Sequence, residues 1–301
     1  MEAKPIYVEI NIHSSLDQVW EATQTPSKHE QWDIRFSSIK YLPKAEGEPQ
    51  HFTYERTVLP PFKIKGWGIS AGDHNGKNGA RTSSLHFGTN MKSSPIKEGK
   101  GYWKYEPQDE HVNFMTQYDY EVPFGKFGSL IDRILIRPLM GWETALSFDV
   151  LRRWLENSES PRSQYMRFFC SWLITFFFCF IWIYHGLVPK LIFMHPKEIT
   201  MITDLIPLSN ETGYRLVQIA GGLEIFFGVC LLIFSRKRLL FFAMALLFPL
   251  LAIVAITADP QALQAPFNPL TFNLSLMVLS IIGFFLHKEL PSARNCRRKR
   301  K

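Results

Sequence analysis

The residues of this chain whose types could do chemistry are scattered, and none has the spacing of a common catalytic motif. His29 and Glu30 begin like a zinc-protease motif, but Asp33 stands where the second histidine is required. Gly66 and Gly68 resemble part of a dinucleotide fingerprint, but they lie in a predicted strand with no helix after it. No G-x-S-x-G or phosphate-loop motif occurs. The sequence therefore predicts no conventional catalytic centre, and whether the chain is an enzyme stays open.

The cysteines do not indicate a metal or redox site. Cys170, Cys179 and Cys230 lie inside apolar runs, where a small buried thiol is the ordinary interpretation. Cys296 stands beside the basic C-terminal residues, and a single cysteine gives weak grounds for acylation. Because structural zinc and iron–sulfur sites need clusters of cysteine and histidine, we expect no metal and no cofactor.

Two ionisable residues stand inside apolar runs, Glu224 near the middle of one and His185 near the end of another. A carboxylate facing lipid is costly, so Glu224 should face the interior of a helix bundle. Gly221 and Gly228 lie on the same helical face, which suits close helix packing. Two interpretations stay open: a structural glutamate hydrogen-bonded to Trp, Tyr or His of a neighbouring helix, or a proton or ligand site.

Four apolar runs predict that the second half of the chain is a membrane domain. At about 1.5 Å per residue, helices of this length reach roughly 25–32 Å, close to the thickness of a hydrocarbon core. The runs cover residues 168–188, 216–234, 239–257 and 270–286. We expect an all-α four-helix transmembrane domain over 166–288 and a basic tail over 289–301.

The basic residues of the second half flank these runs and indicate an orientation. They precede the first run, form the Arg236-Lys237-Arg238 link between the second and third, and follow the fourth, whereas the loop after the third has none. The positive-inside rule then predicts a multi-pass cell-membrane protein with both termini in the cytoplasm. The tail could also be a nucleic-acid patch, but no other nucleic-acid feature is present, so we expect no such partner.

The first half predicts a soluble α+β domain over residues 1–158. An alternating strand opens it, Ser14 or Ser15 can cap a first short helix, and a second short helix follows. About six further strand-like segments are separated by turn signals that suit hairpins. Apolar residues at helix spacing over 131–146 predict a long helix, which Pro138 should kink or break. An antiparallel sheet curled around this helix would bury both and could leave a cavity.

Several motifs of the first half occur in the order of a known fold. They are Ser15-Leu16-Asp17-Gln18-Val19-Trp20, Pro26-Ser27 with Glu30-Gln31-Trp32, and the long helix through Trp154. Here the chain resembles the SRPBCC superfamily of helix-grip proteins, which includes START-like domains and polyketide cyclases. The resemblance implies a helix-grip fold, with an antiparallel sheet around a long C-terminal helix and a cavity for an apolar or amphipathic ligand.

The candidate ligand-binding residues of that cavity are aromatic. They are Trp32, Phe36, Phe52, Tyr54, Trp67, Phe87, Phe114 and Tyr118. The alternative interpretation is that these rings simply fill the core. Because enzymes with this fold often place one acid or base in the cavity, the resemblance also leaves His86, Glu55 and Asp119 open. Nothing in the sequence selects one of them, so the catalytic residues stay unknown.

The membrane half carries a second resemblance. Residues Trp182 to Lys190, which include His185 and Gly186, and the Gly221-Gly222-Leu-Glu224 motif are similar to the DoxX-like family of small four-helix membrane proteins. The resemblance covers about 168–287, and it implies an association with quinone- or thiol-linked redox complexes.

Two hypotheses of function follow from these patterns. The favoured one is a membrane-anchored protein that holds an apolar small molecule or lipid, such as an isoprenoid, in a cytoplasmic helix-grip cavity. The alternative is a subunit of a membrane redox complex or a cyclase-like enzyme. A partner within a membrane complex is left open.

Overall fold

Seven antiparallel strands form one sheet in the computed structural model, which describes residues 4–59, 62–205, 208–234 and 236–300. The strands are β1 Ile6–Ile12, β2 Ser38–Tyr41, β3 Gln50–Leu59, β4 Phe62–Asn75, β5 Arg81–Gly88, β6 Glu98–Pro107 and β7 Val112–Tyr120. They lie in the order β1-β7-β6-β5-β4-β3-β2, so β1 and β2 are the edge strands. All neighbouring pairs are antiparallel.

The helices belong to both halves of the chain. Those of the first half are α1 Leu16–Gln24, α2 Pro26–Trp32, α3 Gly125–Ile131, a π-helical segment Asp132–Ile136, and α4 Arg137–Asn157. Those of the second half are α5 Pro161–His185, a π-helical segment Gly186–Ile192, α6 Pro196–Leu205, α7 Asn210–Ile233, α8 Lys237–Ala258 and α9 Pro269–Leu286. The predicted α+β domain followed by an apolar helical region is therefore confirmed.

The core of the first half lies between the sheet and α4. Phe114 of β7 stacks on Phe148 of α4 with ring centroids 4.4 Å apart, and both side chains are fully buried. Trp32 and Tyr105 are also fully buried. At the start of α1, Ser15 Oγ accepts a hydrogen bond from the Gln18 backbone, and the Gln18 side chain accepts one from the Ser15 backbone. This reciprocal cap fixes where the helix begins.

The long helix breaks where Pro138 predicts, but the residues before the break are not packed as expected. Pro138 lies in the first turn of α4, directly after the π-helical segment Asp132–Ile136. Ile131, Ile134 and Leu135 are exposed rather than on the core-facing side with Leu146. A π-helical turn carries an extra residue, so it rotates the preceding helix face relative to the following one. The helix spacing over 131–146 was therefore wrong as a guide to burial before Arg137.

Four helices of the second half are long and apolar enough to cross a membrane. They span Pro161–Ile192, Asn210–Ile233, Lys237–Ala258 and Pro269–Leu286. Their packed centre is aromatic. The ring of Phe178 stacks on that of Phe248 with centroids 5.8 Å apart, and the ring of Trp182 lies at the same centroid distance from Phe248. The first span is longer than its apolar run because α5 begins at Pro161 and the π-helical segment Gly186–Ile192 continues it.

Glycines allow α7 to approach the π-helical segment closely. A Cβ atom at Gly221 would lie 2.7 Å from the carbonyl oxygen of Gly186, whereas one at Gly222 would have no neighbour within 4 Å. We therefore expect Gly221→Val to destabilise the membrane region by about 1–3 kcal/mol through overpacking. Gly222→Val is the matched control, because it makes the same change one residue away. Thermal unfolding of both detergent-solubilised variants checks this, and equal midpoints would contradict the close approach.

Two compact units divide the chain, and the first contains residues from both ends. One unit comprises residues up to Tyr165 together with those from Pro291 on, and the other comprises Met166–Leu290. In the first unit Arg297 pairs with Glu9 of the edge strand β1 by two backbone hydrogen bonds of 2.9 Å. The buried Asp149 of α4 accepts hydrogen bonds from the Ser292 backbone and the Asn295 side chain. The basic C-terminal residues are thus held against the N-terminal fold.

Candidate functional site

A cavity of about 250 Å³ lies inside the N-terminal unit. Its wall is mostly apolar and is formed by strands β2 to β7, by α1, α2 and the connection from α2 to β2, and by the start of α4. Five of the eight aromatic residues expected to bind a ligand contribute to this wall. They are Phe36, Phe52, Tyr54, Phe87 and Tyr118.

The other three expected residues lie elsewhere. Trp32 is fully buried, and its Nε1 donates a hydrogen bond of 2.9 Å to the carbonyl oxygen of Ala22. Phe114 is fully buried in the core. Trp67 points to the opposite face of the sheet, where its ring meets His86 at 5.1 Å. Successive side chains of a strand alternate between faces, so Trp67 is separated from the cavity side that Gly66 and Gly68 occupy.

Glycines on the neighbouring strands make room for three of the cavity rings. Phe52 pairs with Gly68, Tyr54 with Gly66, and Phe87 with Gly99. A Cβ atom at any of these glycines would overlap the ring of its partner. Each ring therefore lies over the backbone of the next strand rather than extending inward, which leaves the space between sheet and helix open. The two glycines of the apparent dinucleotide motif have this packing role.

Polar side chains meet at one part of the cavity, around the buried Asp33. Arg35 donates to both Asp33 oxygens, from Nε at 2.9 Å and from Nη2 at 2.6 Å, and its Nη1 donates to Thr144 Oγ1 at 3.0 Å. His29 Nε2 lies 3.1 Å from Asp33 Oδ2, and the Tyr118 hydroxyl lies 2.9 Å from Thr144 Oγ1. His29, Arg35 and Tyr118 line the cavity. Asp33 binds His29 and Arg35 directly, whereas Tyr118 is joined to Arg35 through Thr144.

Each buried carboxylate near the cavity is paired with a guanidinium group. Burial by itself raises the pKa of the Asp33 carboxyl. The charge and hydrogen bonds of Arg35, together with His29, outweigh this effect and hold that pKa well below its usual range. A second pair joins Arg56, also in the wall, to Glu143 of α4 at 2.6 Å. Burial raises the pKa of Glu143 although Arg56 and Arg35 oppose it. The cavity wall thus contains two guanidinium groups and an imidazole within a mostly apolar lining.

The three acid or base candidates from the sequence do not line this cavity. Glu55 forms an ion pair with Lys65 at 3.2 Å, and Asp119 forms one with Arg137 at 2.7 Å. His86 is paired with Glu98. The cavity-lining histidine is instead His29, which the sequence offered only as half of a failed zinc motif. Asp33 follows the last residue of α2 and is four residues after His29, and this i, i+4 spacing is the signal that could have found the pair.

The two polar residues expected inside the membrane lie in the second unit. His185 ends α5, and its ring lies 5.5 Å from that of Phe272. Glu224 forms an ion pair with Lys190 at 3.1 Å, and Lys190 lies 3.4 Å from Glu198. The partner of Glu224 is thus a lysine of the π-helical segment rather than a Trp, Tyr or His. Whether this cluster also binds a proton or ligand stays a prediction.

Comparisons with known proteins identify relatives of both halves. The model of the DoxX-like family matches residues 179–281. A membrane protein of Bacillus subtilis (strain 168), YndG, whose own function is uncharacterized, is 42% identical over 250 residues, which is 78% of this chain and 92% of YndG. The predicted DoxX-like resemblance is confirmed.

Solved structures similar to this chain cover its N-terminal half. The protein TTHA0849 from Thermus thermophilus is 15% identical, with a TM-score of 0.39, over 52% of this chain and 99% of that protein. A STAR-related lipid transfer protein from Xanthomonas axonopodis is 17% identical, with a TM-score of 0.36, over 49% of this chain and 82% of that fragment.

Proposed function

The chain belongs to the family of membrane proteins that includes YndG, and from this premise we propose that it binds a small apolar or amphipathic molecule in its N-terminal cavity. The observation that carries the proposal is the open, mostly apolar space beside aromatic rings that are seated over glycines, with the guanidinium groups of Arg35 and Arg56 in its wall. Well-formed apolar pockets with a few convergent polar groups are the usual form of small-molecule sites. The membrane helices tether the domain that contains this site to the bilayer.

The size and polarity of the cavity narrow the class of ligand. The cavity volume of about 250 Å³ is slightly below the roughly 300 Å³ at which the volumes of small-molecule sites begin. This favours an isoprenoid-like or single-chain molecule over a complete two-chain lipid. Arg35, Arg56 and His29 supply donors for one polar or anionic end.

Native mass spectrometry of the full chain, gently extracted in a non-ionic detergent, tests this proposal. We expect a bound small molecule whose mass is lost in Leu85→Trp, because Leu85 lines the cavity and indole would fill it. Thr53→Trp is the matched control, because Thr53 is exposed and lies outside the cavity wall. The same bound mass in both variants, or none in the unsubstituted protein, would overturn the proposal.

We further propose that both termini lie in the cytoplasm. Basic residues flank the spans on that side, and an even number of spans returns the chain to the side where it began. The pairing of Arg297 with Glu9 supports this proposal, because it brings the two ends of the chain together. Alkaline phosphatase fused after residue 300 should be inactive, and active when inserted at Ala265 between α8 and α9. The reverse pattern would refute this orientation.

A further inference from the structure

A stretch of exposed apolar side chains lies between β7 and α4. This 124–135 segment comprises Phe124, α3 and the first four residues of the π-helical segment that follows. The exposed fractions are 65% for Phe124, 69% for Phe127, 55% for Leu130, 69% for Ile134 and 58% for Leu135. Phe127 and Leu130 belong to α3, Phe124 directly precedes it, and Ile134 and Leu135 belong to the π-helical segment that directly follows it. We call these five exposed side chains the apolar face of the segment.

The segment is held in place from its inner side. Tyr120 donates a hydrogen bond of 2.7 Å to Asp132, and Arg137 donates one of 2.9 Å to the same carboxylate. The guanidinium of Arg137 also lies over the Tyr120 ring, 4.5 Å from its centroid. The apolar face is therefore presented outward by an anchored helix.

The charges of the segment are arranged to suit an anionic surface. Its acidic residue, Asp132, is turned inward and is 2% exposed, whereas Lys126 and Arg133 are exposed. Lys126 directly precedes Phe127, and Arg133 directly precedes Ile134, so each cation neighbours an exposed apolar side chain in the chain. An apolar face flanked by lysine and arginine is typical of helices that lie in the membrane interface.

We propose that the 124–135 segment lies in the interface of the bilayer that the protein spans, with its apolar side chains among the lipid chains. A bilayer is the favoured occupant because it is always within reach: α4 ends at Asn157, and the first span begins at Pro161. This covalent link makes membrane contact effectively intramolecular. A protein partner would gain no such advantage from the tether.

The segment also borders the cavity. Ile136 and Leu139, which follow it directly, line the cavity wall. A ligand dissolved in the bilayer would therefore reach the cavity at this edge without crossing water. This last step rests on the proposed function, whereas membrane contact by the segment does not.

Photo-cross-linking in cell membranes tests the contact in the full chain. Benzoylphenylalanine replaces Phe127 in one variant and Ile134 in another. Both side chains are exposed, so we expect the fold to be preserved. A third variant carries benzoylphenylalanine at the exposed Glu46 and serves as the control. After irradiation, mass spectrometry should find lipid adducts at positions 127 and 134 and at least tenfold fewer at position 46. Cross-links to a second copy of the chain, or equal lipid adducts at all three positions, would overturn the proposal. The ligand measurement above is independent of this result, so either can fail alone.

Discussion

Replacing Asp33 by asparagine is expected to lower the free energy of unfolding of the N-terminal domain by about 3–5 kcal/mol. The Asp33 carboxylate is buried and accepts three hydrogen bonds from Arg35, including one from its backbone. Asparagine retains one acceptor and no charge, so the buried guanidinium of Arg35 loses its counter-ion. Denaturant unfolding of the detergent-solubilised full chain, followed by the fluorescence of Trp32 and its neighbours, measures the loss.

An exposed aspartate provides the control for this substitution. The Asp17 side chain is 83% exposed and forms an ion pair with Arg81 at 2.9 Å. Exposed pairs contribute about 0–1 kcal/mol, so Asp17→Asn should change the unfolding free energy little. Equal effects of the two substitutions would mean that the cluster around Asp33 does not stabilise the fold.

The same carboxylate predicts the response of the domain to acid. Since Arg35 and His29 hold the pKa of Asp33 below its value in the unfolded chain, ionised Asp33 stabilises the fold fully above about pH 4. That stability is lost as the pH falls from about 4 toward the lowered pKa. We therefore expect the unfolding free energy to fall more steeply with acidification in the unsubstituted protein than in Asp33→Asn. Parallel profiles below pH 4 would contradict this.

Local patterns in the sequence were sufficient to predict most elements of the fold. Strand alternation predicted β1, the capping serine predicted the start of α1, and the length of apolar runs predicted the membrane helices. These features depend on residues close together in the chain. Burial before Arg137 was mispredicted because a π-helical turn interrupts the helix spacing, and nothing in the composition of Asp132–Ile136 indicates such a turn.

The interior of the cavity depends on pairing between strands, which the sequence alone does not fix. Phe52 and Tyr54 are two residues apart on β3 and therefore share a face, but their glycine partners on β4 follow from the register of the two strands. Trp67 was assigned to the cavity because its aromatic character was weighed without the register that turns it outward. The His29–Asp33 pair was within reach of helix spacing alone, but its importance depends on Arg35, which lies after the end of α2.

Removing residues 291–301 is expected to destabilise the N-terminal domain by about 2–4 kcal/mol. The deletion breaks both backbone hydrogen bonds between Glu9 and Arg297 and leaves the edge of β1 unpaired. It also removes two donors from the buried Asp149, which then keeps Arg152 as partner. Cys296 is buried with its thiol donating to the carbonyl oxygen of Ala145, so apolar burial is lost as well.

The control for this deletion separates tail packing from tail charge. Replacing Arg298, Lys299 and Arg300, all exposed, by glutamine removes basic charge but keeps Cys296 and the Arg297 pairing. We expect this variant to unfold like the unsubstituted protein, and equal destabilisation of both would indicate that charge alone matters.

Burial also raises the pKa of the Cys296 thiol, so in the folded domain this thiol should resist maleimide and acyl donors alike. Because Arg297, which follows the last membrane helix, pairs with the edge of the first strand, we expect the N-terminal domain to reach full stability only when residues 291–297 are present.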